Sequence, residues 1–329
     1  WDSGKIESDA SQWIAYQGKP LKRNARYYWK VKVYTNRGEA DWSAPAFWSM
    51  GLLNEADWQG QWIGLDRAAS GDSETQWSRL AARYLRKEFA LSREVKRATV
   101  HIAGMGLYEL FINGQRIGDQ VLAPAPTDYR KTILYNTYDV TPQLQKENAI
   151  GVTLGNGRFY TMRQNYKPYK IPTFGYPKLR LNLIVEYMDG SKETIATNTS
   201  WKLTTEGAIR SNNEYDGEEY DARKELGNWT QSGYDDKSWI AAQRVSIPSG
   251  TLRAQIMPGM KVMDTLKPVS IQKLGDKYIL DFGQNMAGWV RFRKKPVTVF
   301  VSVSQKPCRP MGNSILGIYV TPVPQIRIS

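Results

Sequence analysis

Apolar and polar residues alternate with a period of two in several short segments of this chain. Residues 27–35 (YYWKVKVYT) are the clearest case, and residues 98–102, 107–113, 179–187 and 278–282 repeat the pattern. Successive side chains of a β-strand point to opposite faces, so this alternation is typical of strands with one buried face. No window of twelve or more residues carries a helical stripe of apolar residues. The pattern therefore predicts an all-β chain.

Residues that tolerate positive φ separate the predicted strands. They occur at Asn36-Arg37-Gly38, Asn113-Gly114, Asp189-Gly190 and Asp216-Gly217. Turns of this chemistry join antiparallel strands, so the chain is predicted to fold as a series of hairpins. We interpret Asn113-Gly114 in particular as a hairpin turn and not as a ligand-binding feature.

The composition is ordinary except for its aromatic residues. With 329 residues the chain is long enough for two or three domains. Its 12 Trp and 19 Tyr residues could stack on sugar rings, although aromatic side chains more often fill the cores of β-sandwiches.

The single cysteine, Cys308, excludes an internal disulfide and a cysteine-based zinc site. The single histidine, His101, excludes a His-rich metal centre, and we expect it to be a satisfied, half-buried strand residue.

The formal net charge of +13 raises the question of a nucleic-acid partner. Residues 294–329 carry five basic residues and no acidic one, which leaves +8 over residues 1–293. In that larger part Lys and Arg are interspersed with Asp and Glu and form no basic stripe. We therefore expect no nucleic acid as a partner. No segment approaches the roughly 20 apolar residues of a membrane span, so no membrane partner is expected either.

Two segments resemble known β-sandwich modules. Residues 1–54 end in YYWKVKVYTNRGEADWSAPAFWSMG, which resembles the last strands of a fibronectin type III domain, and too few strands precede it for a whole sandwich. Residues 55–252 have the strand count of a jelly roll. Their motif NWTQSGYDDKSW resembles the GWxxxxYDDxxW loop of galactose-binding-like domains, where the Trp residues pack and the Asp residues cap turns. The resemblance implies structural roles for Asp235 and Asp236.

Longer motifs resemble one enzyme family. Residues 104–160 and 212–242 resemble the N-terminal accessory region of bacterial α-L-rhamnosidases of glycoside hydrolase family 78. Residues 278–292 (YILDFGQNMAGWVRF) resemble the start of the β-domain that precedes the catalytic barrel of that family, so residues 253–293 are predicted to begin a third β-domain. The predicted architecture is therefore a set of tandem β-sandwiches.

Residues 294–329 depart from this resemblance. Acidic residues disappear, five of the 16 prolines occur there, and no motif of the family is found. We interpret this divergent tail as the product of a frameshift or an unrelated splice. The hypothesis fails if the other two reading frames of the gene after Arg293 encode no rhamnosidase-like continuation.

The resemblance implies an inverting glycosidase that releases terminal α-L-rhamnose from glycans and is periplasmic or secreted. Such enzymes use two carboxylic acids, one as the general acid and one to activate water. The resemblance places both on an (α/α)6 barrel after residue 293, and no position here matches them. We therefore predict that the chain is a noncatalytic N-terminal part, truncated before the barrel, that binds L-rhamnose weakly and requires no cofactor.

Two loops at predicted strand ends are the first candidate sugar site, because sandwich loops gather at the ends of the strands. The candidates in residues 127–130 and 155–160 are Asp128, Tyr129, Asn156 and Arg158. The resemblance to rhamnose-binding modules that use calcium implies that Asp128 and Asn156 could ligate this ion. The alternative is that the glycines beside Asn156 only form a turn and that Arg130 makes a surface ion pair.

An acidic segment with flanking tyrosines is the second candidate site. Its candidates for contacts to sugar hydroxyls are Asp216, Glu218, Tyr220 and Asp221. Crowded carboxylates could also raise one another's pKa and form a catalytic pair. The alternative is a solvated turn around Asp216-Gly217, with Asp221 paired locally to Arg223.

Two other classes of function stay open. The sandwiches could be purely structural and bind no ligand, or the positive charge could make the chain a basic adhesion or polyanion-binding protein. An incomplete third domain would also leave strand edges and apolar surface exposed, so self-association is expected.

Overall fold

The computed structural model shows a chain built from short and medium β-strands. It describes residues 1–10, 14–69, 80–161, 174–213, 217–275, 277–284, 286–289, 300–304 and 317–321. The strands of this described part are β1 (Arg26–Trp29), β2 (Tyr34–Thr35), β3 (Gly38–Glu39), β4 (Ala46–Ser49), β5 (Ile63–Gly64), β6 (Arg83–Ala90), β7 (Val95–Met105), β8 (Leu107–Ile112), β9 (Gln115–Arg116), β10 (Thr132–Asp139), β11 (Glu147–Gly155), β12 (Lys178–Tyr187), β13 (Lys192–Ala196), β14 (Lys202–Thr204), β15 (Ile209–Asn213), β16 (Gly217–Tyr220), β17 (Ile240–Ala241), β18 (Gln243–Arg244), β19 (Thr251–Ala254), β20 (Ser270–Leu274), β21 (Lys277–Asp281), β22 (Phe300–Ser304) and β23 (Gly317–Thr321). The helices described are single 3₁₀ turns at Glu55–Asp57, Thr141–Gln143 and Ala222–Lys224. The predicted all-β fold is confirmed.

The described helices are all too short to cross a membrane. Two compact units divide the chain: residues 1–218 with 222–260, and residues 219–221 with 261–329. In the second unit, β20 pairs with β21 and β22 pairs with β23, both antiparallel.

Two large sheets form most of the first unit. One has the strand order β18-β5-β12-β7-β10-β19, with β13 also paired to β12, and β10 and β19 run parallel. The other has the order β17-β14-β6-β11-β8-β9. Side chains from both sheets meet in one core, where Val100, Leu181, Leu85 and Val152 are fully buried. Trp201 is also fully buried, and its indole N–H donates to the Ala196 carbonyl at 3.0 Å, so its polar atom is satisfied.

A glycine lets the chain pass from one sheet to the other. Gly106 lies between β7 and β8, which belong to different sheets, and has a φ of 119°. The hairpin that follows has the chemistry predicted from the sequence: Asn113 and Gly114 have φ angles of 51° and 81° and join β8 to β9. Two positive φ angles in succession are what a type I′ turn requires, so the predicted turn is confirmed.

The motif of residues 228–239 forms a packed loop over the second sheet. The rings of Trp229 and Trp239 lie 5.9 Å apart, and Trp229 meets Tyr84 edge-to-face at 5.4 Å. Arg86, on β6, donates to the Trp229 carbonyl at 2.9 Å and forms an ion pair with Asp236. The predicted packing of the two tryptophans is confirmed, and Asp236 holds the loop to the sheet.

Residues 1–54 form two small antiparallel pairs, β1 with β4 and β2 with β3. The Tyr27 hydroxyl accepts a hydrogen bond from the Lys22 backbone N–H at 2.7 Å, and its ring stacks on Trp48 at 5.7 Å. A tyrosine hydroxyl that bonds back to the backbone a few residues upstream is the tyrosine corner of immunoglobulin-like sandwiches. The feature supports the prediction of a partial sandwich in this segment.

A buried seam joins residues 1–54 to the first sheet through His101. The Nδ1 atom of His101 lies 3.0 Å from the Thr137 hydroxyl, and Nε2 lies 3.2 Å from Asn24 Oδ1. An amide oxygen only accepts, so Nε2 carries the proton and Nδ1 accepts from Thr137. Arg97 and Glu186 complete the seam, because both also bond to Asn24. The expectation of a satisfied histidine is confirmed, but half-burial was wrong: His101 is 0% exposed because the Asn24 loop covers the outer face of its strand.

We expect the stability of the chain to fall between pH 6.5 and pH 5 because of His101. Burial, with a smaller effect of Arg97, lowers the pKa of His101 to about 4. The unfolded state therefore binds the proton first as pH falls, so stability is complete above about pH 6.5 and is lost toward pH 4 with a slope of up to ~1.4 kcal/mol per pH unit. Urea unfolding at several pH values measures this slope. His101→Gln should flatten it, and an unchanged slope would contradict the assignment.

Candidate functional site

Asp128 forms a turn immediately before β10. Its carbonyl accepts from the N–H groups of Lys131 and Thr132 at 2.9 and 3.0 Å. Its Oδ1 accepts from Arg130 Nε at 3.0 Å and its Oδ2 from Arg130 Nη2 at 3.2 Å. The hydrogen bonds from Arg130 lower the pKa of the Asp128 carboxyl group, so the carboxylate is ionised at neutral pH. Arg130 therefore makes the surface ion pair that the alternative interpretation described.

Tyr129 joins the two predicted loops. Its side chain is 5% exposed, and its ring meets Phe159 edge-to-face at 5.2 Å and Phe174 at 5.4 Å. A platform for a sugar ring needs an exposed aromatic face, so Tyr129 serves here to position the turn of Asp128 against the loop that contains Asn156. The structure thus brings the two loops together, as strand-end loops of a sandwich do.

Asn156 shapes the second loop from inside. Its side chain is 1% exposed, its Nδ2 donates to the Leu80 carbonyl at 2.7 Å, and its N–H donates to Asn212 Oδ1 at 2.6 Å. Its own carbonyl accepts from the N–H groups of Phe159 and Tyr160. In the described part of the chain, Asn156 Oδ1 and Asn212 Nδ2 have no hydrogen-bond partner. Buried polar atoms of this kind are uncommon, and here one acceptor and one donor lie in the same loop cluster.

Arg158, which lies between Asn156 and Tyr160 in the sequence, has an exposed side chain. It follows Gly157, whose φ of 52° turns the chain after Asn156. Asp128 with Arg130 and the exposed Arg158 supply acceptors and donors at the surface of the loop cluster, as sugar hydroxyls require.

The second candidate segment is only partly described. Asp216 lies outside the described residues. Glu218 is exposed on β16, and its pKa is raised, first by desolvation and then by the Glu109 carboxylate. Tyr220 is 38% exposed, whereas Asp221 is 5% exposed. Tyr220 is therefore the candidate with an exposed ring, and Glu218 is a carboxyl group of the described segment whose pKa is raised.

The donor set for calcium is small. Asp128 and Asn156 offer oxygen atoms, but both oxygens of Asp128 are engaged by Arg130. Among the described residues, His, Cys, Asp and Glu side chains form no group of three or more that could hold a metal ion. Calcium prefers six to eight oxygen ligands, so the described side chains do not form a complete cage.

Sequence reasoning missed a buried polar network next to these loops. The Tyr108 hydroxyl donates to Asn136 Oδ1 at 2.7 Å and lies 3.4 Å from the Tyr138 hydroxyl. Asn136 Nδ2 donates in turn to Gln255 Oε1 at 3.2 Å. Burial raises the pKa of Tyr108 far above its ordinary value, so this hydroxyl stays protonated. Tyr108, Asn136 and Gln255 are far apart in sequence, and no short motif marks them.

Paired β-sheets, a tyrosine corner and strand-end loops held by aromatic contacts define a β-sandwich protein. Two family comparisons agree with this class. The family described as the α-L-rhamnosidase N-terminal domain matches residues 93–264, and the family described as the Rha78A-like N-terminal immunoglobulin domain matches residues 1–54. The chain belongs to the family of α-L-rhamnosidase N-terminal domains. The family matched by residues 1–54 is immunoglobulin-like, whereas the sequence resembled a fibronectin type III domain, which is a related β-sandwich. The predicted domain boundaries at residues 252 and 293 stay predictions.

Curated relatives of this chain are named α-L-rhamnosidases. An α-L-rhamnosidase of Formosa agariphila is 40% identical over 312 residues, covering 88% of this chain and 33% of the relative. One of Alteromonas sp. is 34% identical, covering 88% of this chain and 32% of the relative. The chain spans about a third of the length of these curated relatives.

Solved structures agree with the sequence comparisons. The α-L-rhamnosidase of Dictyoglumus thermophilum matches with a TM-score of 0.79 and 37% identity, covering 94% of this chain and 35% of that protein. The α-L-rhamnosidase of Aspergillus terreus matches with a TM-score of 0.79 and 31% identity, covering 95% of this chain and 36% of that protein.

Proposed function

We propose that this chain acts as the noncatalytic N-terminal part of an α-L-rhamnosidase and binds L-rhamnose-containing glycans weakly. The family match over residues 93–264 carries this proposal. The relatives named for α-L-rhamnosidase activity are about three times as long, so most of each relative lies outside the region shared with this chain.

The geometry of the carboxyl groups supports a noncatalytic role. A glycosidase needs one acid and one base on opposite sides of the scissile bond, in a site that encloses the sugar. Glu218 has the raised pKa of an acid, but Glu109, the carboxylate that contributes to the shift, pairs with Arg116 at 3.2 Å and lies with Glu218 on exposed strand surface. A cavity of about 260 Å³ lies near Trp1 and Gln17 and contains neither glutamate.

The loop cluster around Asp128 and Asn156 supports sugar binding. Asp128 is ionised and 34% exposed. Its two oxygens accept from Arg130, but a carboxylate oxygen has more than one lone pair, so Asp128 can accept a further hydrogen bond from a sugar hydroxyl. Tyr129 and Phe159 hold the two loops in a fixed relation, which lowers the entropy that a ligand must overcome. A site with so few polar contacts implies a Kd in the millimolar to micromolar range, about −4 to −8 kcal/mol.

Calorimetric titration of L-rhamnose into the purified chain, with and without calcium, tests this function. We expect saturable heat from the wild type and a loss of about tenfold in affinity for Asp128→Ala, equivalent to one charge-assisted hydrogen bond. Asp189→Ala is the matched control, because Asp189 also accepts from a backbone N–H two residues later and pairs with an arginine, Arg93 at 3.7 Å.

Heat that requires calcium would add the ion to the site, with Asp128 and Asn156 among its ligands. If the folded wild type releases no heat in either buffer, the chain is better described as a structural sandwich without a ligand. If Asp128→Ala binds as tightly as Asp189→Ala, the sugar site lies elsewhere.

A further inference from the structure

Strand β1 has two chemically different faces. The alternation of side chains along β1 places Tyr27 and Trp29 on one face. It places Arg26 and Tyr28 on the other, and Lys30 follows directly after the strand. The second face therefore combines positive charge with aromatic rings. We call Arg26, Tyr28, Lys30, Trp42 and Phe47 the cationic-aromatic face.

Two exposed rings lie side by side on this face. Tyr28 on β1 is directly opposite Phe47 on β4, and their ring centroids are 6.0 Å apart. Tyr28 is 69% exposed and Phe47 is 57% exposed, although burial of either ring would be favourable. The guanidinium carbon of Arg26 lies 4.6 Å from the centre of the Phe47 ring and fixes one edge of the pair. The result is an exposed aromatic surface with a cation beside it.

The stretch of sequence that contains Arg26 and Lys30 is rich in positive charge. Residues 19–37 contain seven Lys and Arg residues and no Asp or Glu. Three of these cations have acidic partners, which are Arg23 with Asp57, Arg26 with Asp139 and Lys32 with Glu39. Lys30 differs from these three. Its ammonium group lies 4.5 Å from the centre of the Trp42 ring, and no ion pair involves it in the described part of the chain. Its charge is therefore available to an anion.

We propose that the cationic-aromatic face binds an acidic polysaccharide, a polymer of uronic acid units. The apolar faces of the sugar rings stack on Tyr28 and Phe47, and a carboxylate of the polymer pairs with Lys30. A nucleic acid fits less well, because its affinity comes mainly from many phosphate contacts and this face offers one uncompensated lysine. This function goes beyond L-rhamnose binding and uses none of the residues around Asp128 and Asn156.

Binding of the full chain to polygalacturonate, measured by affinity electrophoresis at several salt concentrations, tests the proposal. We expect the double variant Tyr28→Ala with Phe47→Ala to bind roughly tenfold more weakly, as the loss of two stacking contacts predicts. Lys30→Gln should weaken binding about fivefold and lower the salt dependence by about one charge. Trp289→Ala is the control, because Trp289 is 66% exposed but lies far along the chain.

The conservative variant Tyr28→Phe keeps the ring and should bind like the wild type, which separates stacking from any effect on folding. Three results would overturn the proposal. One is equal binding of the wild type to fully methyl-esterified polygalacturonate, which has no charge. Another is equal binding of the double variant and the Trp289→Ala control. The third is tighter binding of single-stranded DNA than of polygalacturonate at the same salt concentration. Since L-rhamnose titration probes a different part of the chain, either site can fail without the other.

Discussion

Replacing Asp236 with alanine is expected to lower the free energy of unfolding by about 3 kcal/mol. The reason is Arg86, whose side chain is 1% exposed and whose charge therefore depends on its partners. Arg86 Nη1 pairs with Asp236, while Arg86 Nη2 pairs with Glu88 and donates to the Gln231 carbonyl. Without Asp236 the guanidinium stays buried with incomplete neutralisation, which is the costly way to break a buried ion pair. Asp236 itself is 25% exposed, so we expect the lower end of the usual range.

Asp235 provides the matched control for this experiment. Its side chain is 70% exposed and its ion pair with Lys237 has a separation of 3.8 Å, so Asp235→Ala should change stability by less than about 0.5 kcal/mol. Urea unfolding with comparison of the m-values measures both. Adding Arg86→Met to Asp236→Ala should recover part of the loss, because it removes the uncompensated charge. Equal losses in the two aspartate variants, or no recovery, would refute the role given to Arg86.

The strands of this chain were predictable where the periodicity was strict. The alternating segments at residues 107–113 and 179–187 are found as β8 and β12. The segment at residues 27–35 was predicted as one strand and forms two, β1 and β2. The backbone ladder is interrupted where the N–H of Val31 donates to the Ser43 side chain at 3.0 Å in place of a backbone carbonyl. A side chain that substitutes for a backbone partner leaves no trace in the alternation.

Long-range partners account for what the sequence did not predict. The ion pair of Arg130 with Asp128 is local, and the alternative interpretation of this loop already contained a surface ion pair of Arg130. The contact of Asn156 with Asn212 spans 56 residues, and that of Asp236 with Arg86 spans 150. Likewise, the alternation along β7 predicts the face of the strand on which His101 lies. It does not predict that the loop containing Asn24 covers that face. Fold class follows from local chemistry, whereas burial at the site depends on these distant contacts.

Gly106→Ala should cost roughly 4 kcal/mol, because two separate constraints require glycine at this position. The first is its φ of 119°, which costs a residue with a side chain about 1–3 kcal/mol. The second is a Cβ atom that would lie 2.1 Å from the Gly155 carbonyl oxygen. Gly155 is the last residue of β11 and pairs with Leu107 in the ladder, so it cannot move aside without breaking that ladder.

Two other glycines separate these constraints. Gly38 has the same φ of 119° as Gly106. Gly190 has a φ of 84° and lies in the hairpin between β12 and β13, in the same sandwich as Gly106. A Cβ atom at either Gly38 or Gly190 would meet nothing within 4 Å. Gly38→Ala and Gly190→Ala should therefore cost only the backbone strain, about 1–3 kcal/mol. Urea unfolding of the three variants gives the excess at Gly106, expected near 2 kcal/mol. If all three lose the same stability, the conformation alone requires glycine at position 106, and the close approach of β11 does not limit the crossing between the two sheets.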